Sequence, residues 1–279
     1  MSKKGHAPAI SFGRAMEVLS AALPVHGNES VNLFPLGDIH AGSIHCCEHE
    51  IQAKVKEIAN DSRARWVGMG DYADCILKDD PRFDMEGLAP WVEKGNIVES
   101  QRRWLKDLFL PIKGQCLGML TGNHEETIHL RYQDDLTLNL TRDLGVPYLG
   151  YSCFLRLDIQ NTATQRHSIL VHAWHGAGAA QSEGARLLRL MRLVNDIQAD
   201  VYLMGHLHAM TAHTPDRLIY ERGKVKSIKL AATITGSWLK AYTQHGPTSY
   251  AERQGYRPSR IGAPTIKVYP ATREFEVVS

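Results

Sequence analysis

Arg65-Trp66-Val67-Gly68-Met69 runs straight into Gly70-Asp71-Tyr72-Ala73-Asp74, and this junction decides how the chain is read. An apolar, β-leaning run that stops at Gly-Asp reads as a buried parallel strand delivering its carboxylate to the sheet's C-terminal edge, where open α/β sheets bind ligands. The same grammar recurs at Asn32 to Leu36 before Gly37-Asp38-Ile39-His40, and at Cys116 to Leu120 before Gly122-Asn123-His124-Glu125. It recurs again at Ser168 to His172 before Trp174-His175-Gly176, and at Val201 to Met204 before Gly205-His206-Leu207-His208. Five strand ends carrying Asp, His and Asn aim at one place, the arrangement of a metal site.

Composition fits a soluble α/β globule: 279 residues, 43% hydrophobic and 22% charged, give room for a sizeable core. The formal net charge of +2 argues for neither a polyanion-coating protein nor a membrane-surface one, so any such role would have to rest on local patches. Lys3 and Lys4 are followed by a stretch broken by Arg14 and Glu17, so no signal peptide is expected, and no run reaches transmembrane length. Five cysteines without paired spacing read as reduced thiols of a cytoplasmic protein, not as a disulfide framework.

Outward from the deciding stretch, Ser11 to Ala22 is expected as a short helix closed by Pro24, making residues 1–30 an extension packed on a single domain of residues 31–279. Glu48 to Asn60 places Ile51, Val55 and Ile58 at helical spacing. Asp79 to Gly95 is a long, Pro- and Gly-containing loop, and Val98 to Leu110 a helix stopped by Pro111. Leu136, Leu140 and Leu144 mark a further helix that Gly145 caps. Tyr148 to Ile159 and Gln165 to Trp174 read as a hairpin opening a second sheet. Gln181 to Gln198 is a helix with Arg186, Arg189 and Arg192 on one face, expected to be solvated. Two β-runs, Thr211 to Tyr220 and Lys224 to Thr235, flank a turn at Glu221-Arg222-Gly223, and Thr265 to Val278 is one more hairpin. Parallel-type units before Gly145 and antiparallel-type runs after it predict a four-layer α/β/β/α sandwich, two mixed sheets flanked by helices, with the metals at the C-terminal strand edge.

Carboxylates, imidazoles and one Asn amide, with no Cys, suit divalent Mn, Fe, Zn, Co or Ni better than Ca or Mg. Seven such residues serve two ions only if one carboxylate is shared, the way two-metal hydrolases hold ions about 3.5–4 Å apart.

In these five motifs, which appear in order from Asp38 to His208, the chain resembles the calcineurin-like metallophosphoesterase superfamily. The resemblance implies one metal held by Asp38, His40, Asp71 and His208, a second held by Asp71, Asn123, His175 and His206, and manganese as the leading ion. The fourth motif offers His172 or His175, and the His followed by Gly, one residue past Trp174, matches the family pattern. The resemblance further implies that His124 is the general acid and that Asp74 orients its imidazole. Purple acid phosphatases carry Tyr where Asp74 stands, and Ser/Thr phosphatases carry Arg-Gly where this chain has Cys75-Ile76. A hydrolase acting on phosphodiesters of nucleotide-like small molecules is therefore expected. The alternatives are a DNA or RNA nuclease, a phosphomonoesterase and, less favoured because His124 and Asp74 are both present, a non-catalytic scaffold. Of the two long loops, Asp79 to Gly95 is mostly acidic and expected to repel phosphate, whereas residues 240–261 carry Arg253, Arg257 and Arg260 among tyrosines as candidate substrate contacts.

Overall fold

Residue alternation in the first described segment already departs from expectation. The computed structural model describes residues 17–24, 29–160, 166–244 and 246–279. Within it, β1 (Glu17–Pro24) replaces the helix expected to run through Ala22; residues 11–16 of that helix lie outside the described residues. Leu19, Ala21 and Leu23 face the core while Val18 and Ser20 face out, a period of two that a helical reading of the same apolar residues misses. Pairing then decides: β1 runs parallel to β5 (Ser152–Gln160) along its whole length as an edge strand of a sheet.

The first sheet is built from β2 (Val31–Leu36), β3 (Ala64–Gly68) and β4 (Cys116–Met119), all parallel. Crossovers α1 (Glu48–Asn60) and α2 (Ile97–Phe109) connect them, with Ile51, Val55 and Ile58 of α1 buried as the spacing requires. After β4 come α3 (Asn123–Tyr132), which the sequence reading left out, and α4 (Leu136–Leu144), closed by Gly145 at φ +70. The C-terminal hairpin, β12 (Thr265–Tyr269) and β13 (Glu274–Val278), adds antiparallel to β2, giving the order β13-β12-β2-β3-β4.

The second sheet pairs β5 antiparallel with β6 (Arg166–Trp174), then β7 (Val201–Met204) and β11 (Ala231–Thr235) in parallel, and ends on β8 (Met210–His213). The division into parallel before Gly145 and antiparallel after it therefore does not hold: both sheets are mixed, because the last hairpin returns to the first one. α5 (Glu183–Asp196) joins β6 to β7. Each of the two long β-runs breaks in two, and their outer halves, β9 (Asp216–Glu221) and β10 (Lys224–Lys229), form a separate two-stranded ribbon. α6 (Tyr250–Arg253) is a single turn inside the segment 240–261.

Three larger buried clusters hold these parts together, and a small fourth one, Ala89, Val92 and Ile97, packs the loop before α2. One packs Ile51, Val55, Leu105, Phe109 and Leu140 of the helices on Phe34, Leu36 and Trp66 of the first sheet. A second joins the sheets, with Leu33, Val67, Leu117 and Ile266 meeting Leu155, Leu157, Ile169, Val171 and Leu203. A third sets Leu190, Leu193 and Val194 of α5 against Tyr202, Met204 and Ile234. Among the described residues no helix is long and apolar enough to cross a membrane.

Register places the ends of the strands level. Leu36 pairs with Gly68 and Gly68 with Met119 in one sheet, while Trp174 and Ile234 both pair with Met204 in the other.

Candidate metal centre

Level strand ends mean that the residues just past them meet. Asp38 and His40 follow β2, Asp71 and Asp74 follow β3, and Asn123 and His124 open α3 just after β4. His175 follows β6, and His206 and His208 follow β7. The two sheets are tied here directly: the His206 backbone N–H donates to the Asp38 carboxylate at 3.0 Å, and His175 Nδ1 donates to the Met69 carbonyl at 2.6 Å.

Ligand atoms of Asp38, His40, Asp71 and His208 lie within 4.8 Å of one another, and so do those of Asp71, His175 and His206. Asp71 belongs to both groups. The Asn123 side-chain amide lies 2.7 Å from His206 Nδ1 and 3.1 Å from His175 Nε2. His172 is elsewhere: it is buried with its ring edge against Phe154, and neither ring nitrogen has a partner among the described residues. Of the two histidines left open by the fourth motif, His175 is the one the fold brings to the cluster.

The backbone and the hydrogen bonds both fit these side chains to a cation. Asp38, His40, Asp71, His206 and His208 all have φ between +46 and +69, a left-handed conformation that costs a non-glycine residue free energy and that clusters at working sites. Each outward ring nitrogen of three histidines has an acceptor: the Asp74 carboxylate for His40 Nδ1 (3.3 Å), the Met69 carbonyl for His175 Nδ1 and the Gly178 carbonyl for His206 Nε2 (3.0 Å). Such partners fix the tautomer and leave the inward nitrogen as the one that can ligate. Glycines let the loops close. A Cβ on Gly122 would stand 2.2 Å from Asp71 Oδ1, and one on Gly70 would stand 2.7 Å from the Gly122 backbone nitrogen.

Electrostatics agree with the geometry. Burial opposes the charge on Asp71, yet His175 and His124 outweigh it and hold the carboxyl well below the usual range. Burial likewise opposes protonation of His175, but Asp71, 3.3 Å away, pushes the ring up to about 10. A proton there answers the same negative charge that a divalent cation would, and a cation would displace it. Burial lowers His40 and His206 toward the neutral, ligating form. These buried Asp and His groups could thus hold a metal ion.

His124 adjoins the cluster, its ring edge-on to His40 with centroids 4.6 Å apart. Its Nδ1 donates to the backbone carbonyl of Asp74, while the Asp74 carboxylate turns to His40. Asp74 therefore positions His124 through its main chain, not through the side chain that the resemblance suggested. Burial works against the His124 charge, but Asp71 and Asp74 raise it above the ordinary histidine range.

Glu125 is a residue the sequence reading quoted without a role. Wholly buried, its carboxylate accepts from the backbone N–H of Tyr72 (2.7 Å) and Ala73 (3.1 Å) on Oε1, and from Asp71 and Gly122 (both 3.0 Å) on Oε2. It is the third residue of α3 and caps that helix, so the acid three positions after Gly122 was the available signal.

A cavity of about 330 Å³ opens from His40, His124, His206 and His208. Arg253 and Arg257 line it, whereas Arg260 does not. The loop expected to repel phosphate also lines it, through Arg82, Phe83, Asp84, Gly87 and Leu88. Two of its acids are already engaged: Asp80 takes Arg82 in a two-pronged pair at 3.0 and 2.8 Å, and Asp79 takes Arg131 at 3.1 Å. The arginine face of α5 is not simply solvated either, since Arg186 Nε donates to the Ala180 carbonyl at 3.1 Å and Arg189 to that of Ala177.

No protein-family model matches the chain, and no curated protein matches it.

Proposed function

We propose that this chain is a metal-dependent phosphoesterase of calcineurin-like type, its fold an α/β/β/α sandwich with a two-metal centre at the strand edge. The observation that carries the reading is the sharing of Asp71 between two groups of ligating atoms drawn from both sheets. In this reading Asp38, His40, Asp71 and His208 would hold one divalent ion and Asp71, Asn123, His175 and His206 another, with manganese the leading candidate. Bound there, such ions activate water and offset charge on phosphate oxygens. The rest of the work falls to the chain. His124, fixed through Nδ1 and lining the cavity, would give its proton to the departing alkoxide. Arg82, fixed by Asp80 beside His124, draws the anionic ester toward that proton. Tyr250, Tyr256 and Phe83 offer ring faces to the organic part of the ester. The cavity is at the small end of small-molecule sites, which favours a nucleotide-sized ester in a cytoplasmic pool over a nucleic-acid strand.

The test is elemental analysis of the purified protein together with turnover of bis(4-nitrophenyl) phosphate after loading with manganese. Two metal equivalents and metal-dependent release of nitrophenol support the reading. No hydrolysis of any phosphate ester with Mn, Fe, Zn, Co or Ni overturns it.

A further inference from the structure

Two guanidinium groups face the cavity without a carboxylate assigned to either. Arg186 projects from α5 and spends its Nε on the Ala180 carbonyl, while its two terminal nitrogens have no hydrogen-bond partner among the described residues. Arg257 lies just beyond α6, exposed, and has neither hydrogen bond nor ion pair among the described residues. Both line the one cavity that also contains His206, whose ring is bonded to Gly178 in the same short loop that Arg186 and Arg189 pin down. Burial first and the Arg257 charge second lower the basicity of Arg186; Glu183, one turn back on the helix, opposes them with less weight. Of the other charges lining the cavity, Asp84 lies 3.9 Å from Arg253, Asp80 holds Arg82 and Asp74 turns to His40, while Lys240 adds a third cation with no ion pair among the described residues. Cations that line one cavity are stabilised by an anion bound among them.

We propose that the cavity takes a phosphate ester bearing a second phosphate, and that Arg186 and Arg257 bind this second phosphate while the scissile one lies against the Asp/His cluster. The proposal rests on the phosphoesterase reading for the position of the scissile group alone. It accounts for two features that reading leaves unused, the inward turn of an arginine from a helix face expected to be solvated and the unpaired arginine after α6.

The experiment titrates manganese-loaded full-length protein with adenosine 5′-monophosphate and with adenosine 3′,5′-bisphosphate by calorimetry. The wild type is expected to bind the bisphosphate about tenfold or more tightly, the factor that one added charge-assisted contact supplies. Arg257→Gln, on an exposed loop and safe for folding, and the double variant Arg186→Lys with Arg257→Gln should bring the ratio of the two affinities close to one. A wild type without preference, or variants that weaken both ligands equally, would overturn the proposal. The second outcome would mean that the arginines hold the scissile phosphate itself. Wild-type turnover of bis(4-nitrophenyl) phosphate, run in parallel, separates the two claims: hydrolysis with no bisphosphate preference sinks only the second-phosphate subsite. Preference without hydrolysis of any ester sinks only the phosphoesterase reading.

Discussion

Glu125 carries more of the site's geometry than any residue that touches the cavity. Its two oxygens gather four backbone N–H groups from the loops that present Asp71 and Asn123. In Glu125→Gln one oxygen becomes an NH2 facing two donors, and each buried N–H left unpaired costs about 1–3 kcal/mol. We expect a loss of about 2–6 kcal/mol in denaturant unfolding, together with weaker metal retention; full stability in the variant would show that the carboxylate is dispensable. In the proposed reading His124 serves the chemistry instead. His124→Ala should keep its metals but lose turnover by about 10²–10⁴-fold, the usual worth of a general acid. The loss should be much smaller on nitrophenyl esters, whose leaving group needs no proton, and equal losses on nitrophenyl and alkyl esters would remove the acid role. At this scale the sequence was informative, because Gly-Asp, Gly-Asn and Gly-His after apolar runs mark both the ligating residue and the tight packing that demands glycine before it. The roles of Arg82 and Glu125 were hidden, since a count of acids in a loop cannot reveal that Asp80 and Asp79 are already paired.

Elements are where local pattern and tertiary pairing disagree most. α1, α2, α4 and α5 follow their apolar spacing to within a few residues, whereas β1 does not, because the partner that makes it a strand, β5, lies more than a hundred residues away in the chain. The inward turn of Arg186 was invisible for a related reason: a helix wheel gives a face, and only the fold says which loop lies on it. β6 carries a testable cost of its own. Burial without a hydrogen bond pushes His172 down to about 4 from an ordinary 6.5, so the folded protein holds it neutral where the unfolded chain binds a proton. Stability is therefore unaffected by this residue above about pH 7 and is lost progressively as pH falls from 6.5 toward 4. In His172→Phe that contribution disappears. Chemical unfolding of the two proteins should give curves that converge at pH 7.5 and separate, in favour of the variant, below pH 6; parallel curves would mean that the imidazole finds a proton acceptor.

At the scale of the molecule, the ligating residues come from both sheets, so anything that binds them joins the sheets. Loaded protein is expected to melt several degrees higher than protein stripped by a chelator, since a ligand at about a hundred times its Kd adds roughly 2.7 kcal/mol. Asp71→Asn should abolish most of that difference, because one residue serves both groups; an unchanged melting shift would deny it the shared position. The two-sheet plan was legible in the order of β-runs and helices. The return of β12 and β13 to the first sheet was not, because hairpins carry no mark of which edge they join. The left-handed backbone at Asp38, His40, Asp71, His206 and His208 has a consequence for stability as well as for chemistry. That conformation costs each of these residues backbone free energy that glycine or asparagine would not lose, a cost offset at Asp38 and Asp71 by the hydrogen bonds that their carboxylates accept from the backbone N–H groups of His206 and His124. A mutational scan selecting only for folded protein should therefore enrich glycine at His206 and His208, which are only half-buried, and not at Asp38 or Asp71.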